Sequence, residues 1–118
     1  MYNIKIEAYF SSAHSLRGYK GKCEELHGHN WKVEVTVEAE KTDKTGMVMD
    51  FKDLRKELDR VLDKLDHKCL DRTPYFKKVN PTSENIARYI YKSLQKRLSG
   101  LKYITVWESH NSCASYYE

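Results

Sequence analysis

Apolar and polar residues alternate strictly in two long stretches near the start of the chain. In residues 2–10, Ile4, Ile6, Ala8 and Phe10 share one face. In residues 30–40 (NWKVEVTVEAE), Val33, Val35, Val37 and Ala39 do the same against charged or polar neighbours. A period of two marks a strand with one buried face. The intervening SSAHSLRGYKGKCEEL is a polar loop, KTDKTG is a turn, and GMVMDF is a short extended piece leading to Asp50. From Phe51 the period becomes helical: Phe51, Leu54, Leu58, Val61, Leu62 and Leu65 predict an amphipathic helix over 51–65, with Asp50 as N-cap. Residues 66–81 are irregular and hold both prolines. Thr82 or Ser83 caps a second helix with the stripe Ile86, Ala87, Ile90, Leu94 and Leu98, ended by Gly100. Strands at 101–108 and 112–117 finish the chain. The order β-β-α-α-β-β predicts an α+β domain, an antiparallel sheet with both helices on one face.

Length and composition narrow this further. The 118 residues make one domain, and a core this small favours oligomerisation. No apolar run approaches a membrane span, and the alternating N-terminus MYNIKIEAYF lacks the apolar centre of a signal peptide, so a cytoplasmic protein is expected. Three cysteines (Cys23, Cys69 and Cys113) at irregular spacing fit neither a disulfide framework nor a metal knuckle. The net charge of +4 comes with no nucleic-acid recognition motif. The basic cluster Arg17, Lys20 and Lys22 fits an anionic small molecule at least as well, although a solvated surface loop explains it equally.

The candidate chemistry centres on histidine. His27 and His29, two residues apart at the entry to a strand, point to the same side, and His14 lies just past the end of the preceding strand. Three imidazoles with a fourth position open is the ligand set of a catalytic zinc. Cys23 lies four residues before His27 in a wet, lysine-bearing loop. Metal and lysine charge there would favour the thiolate, whereas a free cysteine is more often a small buried hydrophobe. Cys69 and Cys113 read as structural. Asp66-His67 is either an acid/base pair or a histidine favoured at a helix C-terminus. Glu108, at the end of LKYITVWE, is either solvated or turned inward to grip a guanidine-like edge. Thr82 and Ser83 are helix caps first and ligand contacts second.

The pieces FSSAH (10–14), CEELHGHNW (23–31), GMVMDF (46–51), LDH (65–67), NPTSEN (80–85) and VWES (106–109) occur in an order that resembles the 6-pyruvoyl-tetrahydropterin synthase / 6-carboxy-tetrahydropterin synthase family. The resemblance spans nearly the whole chain. It implies a tunnelling fold, with a four-stranded antiparallel sheet and two helices on one side. Subunits of that family join their sheets into a barrel, as trimers that pair into hexamers with active sites between subunits. By position, His14, His27 and His29 would hold one zinc per subunit and Cys23 would be the catalytic thiol. Asp66 and His67 would form an acid/base pair supplied by a neighbouring subunit. Glu108 would anchor the pterin ring, assisted by Thr82 and Ser83, while Arg17, Lys20 and Lys22 would steer the triphosphate of 7,8-dihydroneopterin triphosphate. The four-residue step from Cys23 to His27 favours the carboxy-forming branch, a lyase of queuosine and 7-deazapurine biosynthesis. The pyruvoyl-forming branch is the alternative, and a non-catalytic zinc or pterin-binding subunit a distant one. Two departures touch loop contacts: Asp71 where relatives commonly carry asparagine, and Ser109-His110 where Thr-Pro or similar is usual.

Overall fold

The structure, a computed structural model, describes residues 1–18 and 25–118. Strands β1 (Tyr2–His14) and β2 (His27–Ala39) form an antiparallel ladder over their full length, from Tyr2 opposite Ala39 to His14 opposite His27. Helix α1 (Phe51–Leu62) follows, then a two-residue strand β3 (Lys68–Cys69), a 3-10 turn (Leu70–Arg72) and a short helix α2 (Pro74–Lys78). Helix α3 (Ser83–Gln95) leads into the hairpin β4 (Leu101–Ser109) and β5 (Ser112–Tyr116). The sheet order is β3-β1-β2-β4-β5.

The alternation sorts this sheet into two faces. Ile6, Ala8, Phe10, Trp31, Val33, Val35, Val37, Ile104 and Val106 are buried under the helices. Leu54, Leu58, Val61 and Leu62 of α1 meet them with Ile86, Ala87, Ile90 and Leu94 of α3. Burying each such side chain fully contributes about 1.5–3 kcal/mol, the main drive toward this two-layer packing. Phe51, expected in the helical stripe, is 58% exposed. Asp50 caps α1 by accepting the Lys52 N–H at 2.8 Å, and Thr82 caps α3 by accepting the Asn85 N–H at 3.1 Å.

Two expectations are corrected. The sheet has five strands rather than four, and one pair is parallel: Ser12 and Ala13 of β1 lie beside Lys68 and Cys69 of β3. The reason is local. As the chain leaves α1, His67 N–H donates to the Ser11 carbonyl at 2.6 Å, which draws the next two residues onto the outer edge of β1. The long strands also run further than the alternation suggested, because the polar SSAH of β1 pairs with HGHN of β2. Backbone pairing overrides side-chain polarity there. Beyond β3, the outer edge of β1 has no paired strand among the described residues, and neither does the outer edge of β5.

Gly100 closes the passage from α3 to β4. Its φ is +79°, and its carbonyl accepts the Glu38 N–H at 2.8 Å. A Cβ there would strike the Glu38 carbonyl oxygen. Gly100→Ala is therefore expected to lower unfolding stability by about 1–3 kcal/mol in chemical denaturation. An unchanged midpoint would show that this backbone approach is not required.

Candidate metal centre and active site

The ladder between β1 and β2 builds the site at its last rungs. His14 stands opposite His27, and His29 stands opposite Ser12, so all three rings emerge on the helix-facing side of the sheet. Beneath them is the fully buried indole of Trp31, edge-on to His14 and His29 at 4.9 and 5.1 Å between centroids. Trp31 stacks in turn on Phe10 and donates its Nε1–H to the Ser12 carbonyl at 3.3 Å. This wall fixes the rings from below, a role the sequence reading did not assign to Trp31.

The far side of two rings is held by backbone. His14 Nδ1 lies 2.7 Å from the Pro81 carbonyl oxygen, and His27 Nδ1 lies 2.7 Å from the Glu25 carbonyl oxygen. A carbonyl oxygen only accepts, so both Nδ1 atoms carry the ring proton. In the neutral form each ring then presents a bare lone pair at Nε2. Those two Nε2 atoms face each other at 3.0 Å. Two lone pairs at that separation repel unless a positive charge lies between them. His29 Nε2 is buried without a hydrogen-bond partner, and burial holds the His29 pKa below the usual histidine range against the pull of Glu108.

Glu108 completes the cluster from β4. Its Oε1 is 3.0 Å from His29 Nε2 and 3.2 Å from His14 Nε2. Ligand-type atoms of His14, His27, His29 and Glu108 all lie within 4.8 Å of one another. A tetrahedral ion with bonds near 2.0–2.1 Å sets its ligand atoms about 3.3 Å apart, close to the shortest separations here. The donor set thus fits a divalent cation bound through nitrogen and carboxylate oxygen. Sequence reasoning left Glu108 either solvated or turned inward at the sheet end; its approach to the imidazoles is a non-local consequence of β2–β4 pairing.

The remaining candidates divide by location. Thr82 and Ser83 line a cavity of about 270 Å³ beside His14 and Glu108, together with Cys113. Cys113 therefore has company that its sequence neighbours did not suggest. On the open face of the sheet, a second cavity of about 420 Å³ is bordered by Tyr9, Lys32, Trp107, Glu108 and His110. A larger cavity of about 660 Å³, walled by Leu65, Cys69, Tyr75, Phe76 and Tyr89, shares no residue with the histidine cluster.

Asp66 and His67 lie on the outer edge of β1, outside the histidine cluster of the same chain. Asp66 Oδ1 accepts the Ser11 N–H at 2.8 Å, and Oδ2 is 3.0 Å from His67 Nδ1. The Ser11 N–H first, and then His67, hold the Asp66 carboxyl below the usual carboxylate range. His67 has φ +56°, a conformation uncommon outside glycine, and its ring is 83% exposed. The pair is assembled and turned outward.

Arg17 is partly committed within the chain. Its guanidinium donates to Asp71 at 3.1 Å and to the Phe76 carbonyl at 2.6 Å, while Asp71 also accepts from Ser15 N and Oγ. The side chain of Asn80 bonds both the N–H and the carbonyl of Arg17. Asp71 thereby ties the end of β1 to the 3-10 turn, and Asn80 ties it to the segment that carries Pro81. Lys20, Lys22 and Cys23 lie outside the described residues.

Residues 3–118 match the family described as 6-pyruvoyl tetrahydropterin synthase. The chain belongs to that family. The fold agrees: the structure of the 6-pyruvoyl tetrahydropterin synthase of Caenorhabditis elegans superposes with a TM-score of 0.91 at 32% identity, covering 99% of this chain and 95% of that one. The sheet and helices are thus a tunnelling fold, and the family is one of pterin-acting enzymes.

Curated relatives carry three different names. A Synechocystis protein named 6-carboxy-5,6,7,8-tetrahydropterin synthase is 37% identical over 123 residues, covering 99% of this chain and 94% of its own. The human 6-pyruvoyl tetrahydrobiopterin synthase is 46% identical over 102 residues, covering 81% and 70%. A dihydroneopterin monophosphate aldolase of Pyrococcus furiosus is 42% identical over 110 residues, covering 91% and 90%. Identity alone does not choose among these names, because the figures do not rank with any one of them.

The tautomers are the most direct consequence of this geometry. Long-range proton–nitrogen correlation spectra of the full chain are expected to place the ring proton on Nδ1 of both His14 and His27. A ring proton on Nε2 of either residue would contradict the inward-facing lone pairs.

Proposed function

We propose that this chain is a 6-carboxy-5,6,7,8-tetrahydropterin synthase: a zinc-dependent lyase that converts 7,8-dihydroneopterin triphosphate to 6-carboxytetrahydropterin, with release of acetaldehyde and triphosphate. Its place is the cytoplasmic route to queuosine and related 7-deazapurines. The observation that carries the enzyme reading is the convergence of His14, His27 and His29, with two tautomers fixed by the Pro81 and Glu25 carbonyls. Neutral imidazoles of this kind suit zinc. The four-residue step from Cys23 to His27 supports the carboxy-forming branch.

Each residue has a task in this reading. His14, His27 and His29 hold zinc, whose charge acidifies substrate protons beside the side-chain hydroxyls. Cys23, as thiolate, takes a proton near the metal. The Asp66 carboxylate orients His67 through Nδ1, leaving Nε2 to exchange a proton with substrate. Because that ring faces outward, His67 serves the site of an adjacent subunit. The free outer edges of β1 and β5 support sheet-to-sheet association into a trimer that pairs as a hexamer. Glu108 grips the pterin edge through paired hydrogen bonds, Thr82 and Ser83 line the adjoining cavity, and Lys20 and Lys22 meet the triphosphate. Arg17, anchored to Asp71, adds a fixed positive charge beside that loop.

Product analysis tests this directly. Zinc-loaded protein given 7,8-dihydroneopterin triphosphate is expected to yield a carboxytetrahydropterin and acetaldehyde in equal amounts, and Cys23→Ala is expected to abolish turnover with fold and metal retained. A pyruvoyl product without acetaldehyde would move the chain to the sibling branch that the human relative represents. Full turnover by Cys23→Ala would remove the thiol from the mechanism.

A further inference from the structure

Glu108 occupies a position that pterin anchoring alone does not explain. Its Oε1 is 3.2 Å from His14 Nε2, the atom that carries no proton in the neutral ring, since His14 donates through Nδ1 to Pro81. A carboxylate oxygen and a bare imidazole nitrogen are both acceptors, and at that distance they repel. The second approach, 3.0 Å to His29 Nε2, forms no aligned hydrogen bond, since that nitrogen is buried and unpartnered. With both rings neutral, neither contact holds the carboxylate in place. Both become favourable around one cation, where separations of 3.0–3.2 Å approach the edge of a tetrahedral ligand set, about 3.3 Å.

The same side chain reaches two spaces. Glu108 lines the cavity beside Thr82 and Ser83, and also the open-face cavity bordered by Trp107 and Lys32, whose described lining holds no other carboxylate. It is 34% exposed, and the β4–β5 register shifts between Trp107 and Ser109, around its own position. Glu108 is thus attached where the ladder is irregular, between the metal ligands and an open cavity.

We propose that Glu108 is the fourth ligand of the metal in the substrate-free protein and leaves it when a pterin ring arrives. The carboxylate exchanges one partner for another: metal in the resting state, the aminopyrimidinone edge in the loaded state. Pterin recognition thereby opens a coordination position only when a ring is seated, and the resting site is closed to other oxygen ligands. The exchange half of this proposal rests on the pterin reading of the site, whereas the ligation half does not.

Cobalt(II) in place of zinc gives a readout independent of turnover. Visible spectra of the cobalt-loaded full chain and of Glu108→Ala are expected to differ, and the variant is expected to bind metal about tenfold more weakly. Should Glu108→Ala not fold, Glu108→Gln makes the same comparison, because a carboxamide is a poor ligand. Identical spectra and affinities would overturn the fourth ligand. The wild-type protein is then titrated with unsubstituted pterin, whose ring carries no side chain to reach the metal, and binding is followed by ring fluorescence. The wild-type spectrum is expected to shift toward that of Glu108→Ala as the ring binds. Binding with no spectral change would overturn the exchange. No pterin binding at all would defeat the pterin reading and the exchange with it, while a wild-type spectrum distinct from the variant would still establish Glu108 as a ligand.

Discussion

The thirteen-rung antiparallel ladder between β1 and β2 is the constraint on which the rest of the molecule depends. Its register puts His14 opposite His27 and His29 opposite Ser12, and the period of two sends all three imidazoles to one face. A slip of one residue would move every apolar side chain of these strands to solvent and every ligand away from its partner. The buried row from Ile6 to Phe10 and from Trp31 to Val37 therefore fixes the geometry of the histidine cluster while it builds the core. At an ideal rise near 3.3 Å per residue such strands are about 43 Å long, which accounts for a molecule 52 Å in its longest dimension and only 24 by 22 Å across.

The electrostatics of the site follow from where that ladder ends. Three imidazoles and a carboxylate converge within 4.8 Å, with Trp31 edge-on to two of the rings, His14 and His29. Such a cluster is unfavourable without a central positive charge, since buried acceptors that face one another lose hydration and gain no partner. Pro81 and Glu25 make the arrangement definite by choosing the tautomers. The loop network of Asp71, Arg17 and Asn80 holds Pro81 in place relative to the end of β1. Asp71 adds an ionic contact to the Arg17 guanidinium at 3.1 Å.

Much of this was legible in the sequence because it is local. Strict alternation identified both long strands, and the two-residue step from His27 to His29 placed their rings on one side. The change of period at Phe51 marked the first helix. What stayed hidden is non-local. The polar SSAH segment reads as loop until β2 pairs with it, and the two residues of β3 carry no pattern of their own. The approach of Glu108 to His14 and His29 depends on β4 lying beside β2 and on the irregular ladder around Trp107. Nothing in the neighbours of Cys113 announces the cavity it borders. His67 is legible only as a pair with Asp66, because the outward turn of its ring comes from a positive φ at the exit of α1.

The central claim is that His14, His27 and His29 form one metal site. Equilibrium metal binding with elemental analysis, on the full chain and on His27→Ala, tests it most directly. The account requires one zinc per chain in the wild-type protein and loss of stoichiometric metal in the variant. A wild-type protein that fails to retain zinc, or a His27→Ala protein that keeps it, would contradict the site on which everything else is built.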